Sequence, residues 1–120
     1  VELLSHLLAD CAPLRGRALR VADMGCGKGY LTFGLCDWLR ADGHPAASIL
    51  GVESRAELVE KCNRIAAEAG FAELKFASGD IATADIGALD VLIALHACDT
   101  ATDDAIARGI GAGAQLIVVS

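Results

Sequence analysis

The sequence predicts an α/β fold built on a doubly wound, mainly parallel sheet, and three features point there. Short aliphatic runs alternate with amphipathic segments along the 120 residues, the order that calls for parallel strands joined by right-handed crossovers. A glycine cluster, Gly25-Cys26-Gly27-Lys28-Gly29, sits between the first aliphatic run and the first helical segment after it. The run Leu89 to Leu95 is apolar at every position but Asp90, as expected of a strand covered on both faces.

In chain order, Val1, Leu4, Leu7 and Leu8 share one helical face, and that helix should stop before Pro13. Ala18 to Asp23 is the first strand. Leu31, Leu35, Trp38 and Leu39 mark an amphipathic helix ending near Asp42-Gly43, with Trp38 on its core side. Ser48 to Glu53 is the second strand. Ser54 and Glu57 have capping-box spacing, and the helix they open is expected to bury Leu58, Cys62, Ile65 and Ala69 before stopping at Gly70. Leu74 to Ala77 is the third strand, turning at Gly79-Asp80. Residues 81–88 are too few for a crossover helix with its loops, so a single helical turn is expected there. Leu89 to Leu95 is the fourth strand. Thr100 and Asp103 offer a second capping box, for a helix through Ile106 and Ile110 that Gly111 and Gly113 break. Ala114 to Val119 is the fifth strand. The expected spatial order is 3-2-1-4-5, with a ligand crevice at the carboxyl ends of strands one and four, where the winding reverses. Residues 1–120 read as one domain. A final strand that stops with the chain leads us to expect further sequence beyond Ser120.

A hydrophobic content of 54% with only 4% aromatic residues describes an aliphatic globular core, not a disordered segment. No stretch approaches the roughly 20 apolar residues of a membrane span, and no membrane partner is expected. Sixteen acidic against ten basic residues, net charge −6, argue against nucleic-acid binding by this segment alone, because neutralising phosphates requires a basic stripe. Cysteines at 11, 26, 36, 62 and 98 have no zinc-like spacing. They read as small buried hydrophobes in a reduced, cytoplasmic protein.

The chemistry concentrates around the glycines. Their spacing is Gly-x-Gly-x-Gly, not the Gly-x-Gly-x-x-Gly of dinucleotide binders. Asp23 stands two residues before Gly25, where a carboxylate would be poorly placed beside a pyrophosphate but suits a ligand carrying an ammonium and a sulfonium. Glu53 ends the second strand, 24 residues after Gly29, where an acidic side chain can accept both hydroxyls of a ribose. Together these favour S-adenosylmethionine over a nicotinamide cofactor. Each residue also has a plainer reading. Asp23 could cap the glycine loop, Glu53 could be a solvated strand end, Asp80 could belong to a turn, and Lys28 is most simply solvated.

Four stretches carry a resemblance to class I S-adenosylmethionine-dependent methyltransferases. Val21 to Gly29 is similar to the family's first motif, Gly51-Val52-Glu53 to its second, and Ser78-Gly79-Asp80-Ile81 to its third. Leu89 to Leu95 resembles the fourth strand, whose end faces the reacting methyl. The resemblance implies a Rossmann-like methyltransferase fold with cofactor contacts from Asp23, Gly25, Cys26, Gly27, Gly29, Glu53, Ser54, Asp80, Ile81 and Leu95. The segment Leu95-His96-Ala97-Cys98-Asp99-Thr100-Ala101-Thr102-Asp103 is similar to the Leu-His-x-Cys-x-x-Ala-Thr-Asp pattern of one methyltransferase subgroup. A related string in eukaryotic tRNA 2′-O-methyltransferases suggests an RNA acceptor, but Asp99 stands where that family has glycine, and the order of His and Leu differs. His96 is the candidate general base for a hydroxyl or amine nucleophile, or else bonds backbone at the strand end. Cys98 reads as packing. A non-catalytic scaffold that keeps the glycine loop but has lost its substrate pocket is the alternative.

Overall fold

The computed structural model describes residues 18–41, 47–95 and 99–119. The helix expected over residues 1–10, together with His96 and Cys98, lies outside the described residues. The elements are β1 (Arg20–Met24), α1 (Tyr30–Ala41), β2 (Ser48–Glu53), α2 (Ala56–Ala69), β3 (Leu74–Ser78), β4 (Val91–Ala94), α3 (Asp99–Gly111) and β5 (Leu116–Val119). All strand pairs are parallel, in the order β3-β2-β1-β4-β5. The predicted fold class and strand order are those observed.

Strand periodicity divides the core into two layers, because successive side chains point to opposite faces of the sheet. On one face Val21, Ile49, Phe76 and Ile93 pack against Leu35, Cys36 and Leu39 of α1 and Val59, Cys62 and Ala66 of α2. On the other, Ala22, Met24, Val52 and Leu92 meet Ala84 and Ala105. The connection between β3 and β4 therefore does the covering that a crossover helix would do elsewhere. It is one hydrogen-bonded turn, closed by the Ala84 N–H donating to the Asp80 carbonyl at 3.0 Å. Arg108 of α3 fastens it by donating to the carbonyls of Ala82 (2.6 Å) and Ala84.

Asp90, the polar exception in the fourth-strand run, is buried and accepts the Arg20 N–H at 2.9 Å. It thereby satisfies a backbone donor at the start of β1 that the sheet would otherwise leave unpaired. On the α1–α2 side, Arg40 donates to both Glu73 oxygens at 2.6 Å and lies 4.4 Å from the Phe71 ring centroid. This braces the end of α1 against the turn that follows α2.

Two local expectations are corrected. The Ser54–Glu57 capping box does not form. The helix begins one residue later, with Arg55 as an extended N-cap (φ −86°, ψ 104°) that makes no side-chain capping bond. A capping box with Ser54 as its cap would need Glu57 as third helical residue, and the later start shifts that pair out of register. The buried line of α2 is Val59, Cys62 and Ala66, while Ile65 is 40% exposed. Both lines pass through Cys62, and the one with the smaller residues faces the sheet, which lets helix and strands approach closely. Gly70 does end the helix, in the left-handed region at φ 79°. In α3, Ala105 and Gly109 face the sheet. A Cβ on Gly109 would stand 2.6 Å from Ile117 Cδ1, so a side chain there would force Ile117 to shift, and Ile106 and Ile110 point outward. None of the described helices is long and apolar enough to cross a membrane.

Candidate functional site

The order of strands reverses between β1 and β4, and α/β sheets of this kind hold ligands at the carboxyl ends of the strands beside such a reversal. Residues 25–29 lie at this end of the sheet, between β1 and α1. Gly25, Gly27 and Gly29 all have positive φ, at 70°, 60° and 83°, a conformation costly for any residue with a Cβ. The loop is pinned to β2. The N–H groups of Gly25 and Cys26 donate to the Val52 carbonyl at 2.7 and 2.9 Å, and that of Gly27 donates to Glu53 Oε1 at 3.0 Å. Gly29 N–H closes the turn on the Cys26 carbonyl at 3.0 Å. Four of the loop's backbone donors are thus spent internally.

The glycines differ in what they leave room for. A Cβ on Gly25 would meet nothing within 4 Å, and one on Gly27 would meet only Arg55 Nη2, at 3.9 Å. The loop is therefore an open cradle at these two positions. Gly29 faces inward instead, where a Cβ would press on Cys62 Sγ and Phe33 at 3.1 Å. Its role in the fold is close packing between the loop and both helices. Gly51, on β2 beneath the loop, is held by similar crowding: a Cβ there would stand 2.5 Å from the Phe76 ring and 3.1 Å from Cys26 Sγ.

Two buried carboxylates flank the loop, and their environments drive them apart. Asp23, 3% exposed, accepts a 2.8 Å hydrogen bond from the Thr32 hydroxyl on α1. Burial pushes its carboxyl up to about 6, against the lowering effect of that bond. Glu53, 5% exposed, accepts the Arg55 guanidinium Nε at 2.8 Å and the Arg55 N–H at 3.0 Å, both on Oε2. The Arg55 side chain holds it below its ordinary range despite burial, helped by the backbone donors of Arg55 and Gly27. Glu53 is thus a permanent anion, whereas Asp23 titrates near neutrality.

The remaining sequence-predicted positions are less uniform. Cys26 is half-buried, and burial, then the nearby Asp23 charge, raises its thiol to about 12, so it is a neutral packing group at physiological pH. Ser54 is exposed, with its hydroxyl 3.5 Å from Glu53 Oε2. Asp80 is exposed at the end of β3 and accepts the Thr83 N–H (2.9 Å) and hydroxyl (2.8 Å), which lower its carboxyl. Ile81 packs on the second core layer and Leu95 on the first. Asp23, Gly25, Gly27, Glu53 and Ser54 are brought together at the loop. Asp80 and Ile81 follow β3 at the same end of the sheet, and Leu95 follows β4. Among the described residues, no group of three or more His, Cys, Asp or Glu could hold a metal.

Sequence reasoning missed Thr32 and Arg55. Thr32, a helix-interior threonine with no exposure, is explained only by the carboxylate beside it. Arg55 follows the acidic strand end by two residues, a spacing compatible with turning back onto it.

A parallel sheet of this order with a glycine loop pinned under two carboxylates is the framework of a class I methyltransferase-like domain. The chain belongs to the methyltransferase-domain family, which matches residues 1–120. No curated protein matches it. Among solved structures it is similar to the S-adenosylmethionine-dependent methyltransferase from Thiobacillus denitrificans in complex with S-adenosyl-L-homocysteine (TM-score 0.60, 26% identity, 89% of this chain and 43% of that one). Its fold is also shared with the [4+2]-cyclase SpnF (TM-score 0.69, 22% identity, 92% and 40%) and with a dimethyladenosine transferase from Plasmodium falciparum (TM-score 0.65, 19% identity, 92% and 36%). The chain spans less than half the length of each.

Proposed function

We propose that this domain binds S-adenosylmethionine at the glycine loop and supports methyl transfer to a hydroxyl or amine acceptor. The observation that carries this reading is the hydrogen bonding of the glycine loop and the two buried carboxylates beside it. The N–H groups of Gly25, Cys26 and Gly27 are spent on β2, so the loop offers carboxylates where a pyrophosphate would need amide donors. Glu53, ionised and fixed at the end of β2, would accept ribose hydroxyls. Asp23 would place negative charge beneath the cationic amino-acid end. Gly25 and Gly27 would admit the ligand, and Ser54, Asp80, Ile81 and Leu95 would border the adenosine and methyl ends. S-adenosylmethionine, when bound, supplies a methyl already activated on a sulfonium. The chain's part is then to hold the acceptor in line and, where needed, take its proton.

His96 is the proposed base, two residues beyond the end of β4. His96→Asn should slow turnover and flatten the acid limb of the rate profile while sparing cofactor affinity. An unchanged profile removes it from that role. An RNA acceptor is a lesser proposal, since with a net charge of −6 its basic contacts would have to come from elsewhere. The free thiols of Cys26, Cys36 and Cys62 are in keeping with a cytoplasmic setting. Because the [4+2]-cyclase SpnF shares the fold, binding and turnover are to be measured separately: saturable binding without methyl transfer to any acceptor would favour the scaffold reading.

The direct test is Glu53→Ala. Losing a charged acceptor of two hydroxyls should weaken S-adenosylmethionine about ten- to hundredfold, the equivalent of roughly 1.5–3 kcal/mol, without unfolding the domain. Parent-like affinity in a folded variant would place the ribose elsewhere.

A further inference from the structure

Glu53 has more partners than a ribose acceptor can keep. A carboxylate offers about four lone-pair positions. Three are taken by Gly27 N–H, Arg55 N–H and Arg55 Nε, with the Ser54 hydroxyl at 3.5 Å near a fourth. Two ribose hydroxyls therefore need two of these partners to leave. The backbone donors are fixed. Gly27 belongs to the pinned loop, and the Arg55 carbonyl anchors α2 by accepting from Leu58 and Val59 N–H at 3.0 and 3.2 Å. The Ser54 hydroxyl leaves by simple rotation. The other group free to move is the Arg55 side chain, which is 59% exposed and does no capping. Its Nη2 lies 3.9 Å from where a Cβ on Gly27 would stand, so it leans over the open part of the cradle.

We propose that Arg55 is a built-in competitor for the cofactor's ribose: its guanidinium holds Glu53 and must swing away on binding, which sets the affinity and makes it rise with ionic strength. This rests on the S-adenosylmethionine reading above. A half-exposed ion pair is worth little and is weakened by salt, so the competition is mild and reversible, a tuning device and not a block.

S-adenosylhomocysteine, with no net charge near neutral pH, is the probe, because long-range attraction to an acidic protein then contributes little to its salt dependence. Calorimetric titration of the full chain at about 0.05 M and about 0.5 M salt should show Arg55→Ala binding roughly two- to fivefold tighter than the parent at low salt. The gap should close at high salt, and Arg55→Lys, which keeps the charge, should fall between. The 2′,3′-dideoxy analogue should show no gain from Arg55→Ala, since it does not contest Glu53. A merely structural effect on the loop would change both ligands alike. Equal or weaker binding of S-adenosylhomocysteine by Arg55→Ala, with the parent binding, overturns the competitor role and leaves the cofactor site standing. Binding by none of the chains overturns the site and the competitor together.

Discussion

Gly27→Val is expected to abolish cofactor binding, lowering affinity at least about a hundredfold, while the domain stays folded. Gly27 sits at φ 60°, where a β-branched residue is a conformational outlier. The left-handed backbone alone costs roughly 1–2 kcal/mol for a residue with a Cβ. Its side chain would also project into the open cradle, where Arg55 Nη2 is the nearest neighbour at 3.9 Å. Relief of strain would pull the Gly27 N–H from Glu53 Oε1, now 3.0 Å away, and loosen the carboxylate as well. Titration of binding alongside thermal unfolding separates these effects. A modest fall in melting temperature with no detectable binding is the expected pair, and Gly27→Ala should lie between parent and Val. A folded Val variant that binds normally would mean that the ligand does not approach this face of the loop.

Asp23→Asn is expected to weaken S-adenosylmethionine roughly ten- to hundredfold at neutral pH and, in the opposite direction, to hold or raise stability. Burial lifts the Asp23 carboxyl from 3.8 to about 6. A folded-state value above the unfolded one means that protonation favours the fold. This contribution is complete below about pH 4 and is lost as pH rises through about 6. The displacement corresponds to about 3 kcal/mol in disfavour of the ionised fold, to order of magnitude. Asparagine keeps an oxygen for the Thr32 hydroxyl, now 2.8 Å from Oδ2, and carries no charge to desolvate. Stability of the parent should therefore decline between pH 4 and 6 relative to the variant. Cofactor affinity should show the reverse trend, because a cationic ligand favours the carboxylate: it should rise through about pH 6 in the parent and stay flat in Asp23→Asn. A variant that loses stability but binds as before would make Asp23 a cap of the loop and nothing more.

Much of this was legible in one dimension because period and spacing are local properties. The strands, the glycine loop and the single turn over residues 81–88 follow from aliphatic runs separated by helical periodicity, while the sheet order is expected from the doubly wound fold class. Side-chain partnerships were less legible. The helical lines 58/62/65/69 and 59/62/66 are adjacent on α2 and share Cys62, and only the sheet decides that Val59 and Ala66 face inward. Asp23 and Glu53 are alike in sequence, both acidic strand ends beside glycines. They part because one is buried against a neutral hydroxyl and the other is gripped by a guanidinium, and neither Thr32 nor Arg55 announces such a role. Asp80 shows the converse, its turn with Thr83 visible in the structure where the sequence left ligand and turn both open.

The central claim is that carboxylates, with four of the loop amides already spent, select a sulfonium nucleoside over a pyrophosphate. A calorimetric comparison of S-adenosylmethionine with the nicotinamide dinucleotides, on the full chain near pH 7.5, tests it most directly. Saturable one-to-one binding of S-adenosylmethionine and no measurable heat from either dinucleotide is the predicted result. Tighter binding of a dinucleotide, or no binding of S-adenosylmethionine by the folded protein, would contradict it.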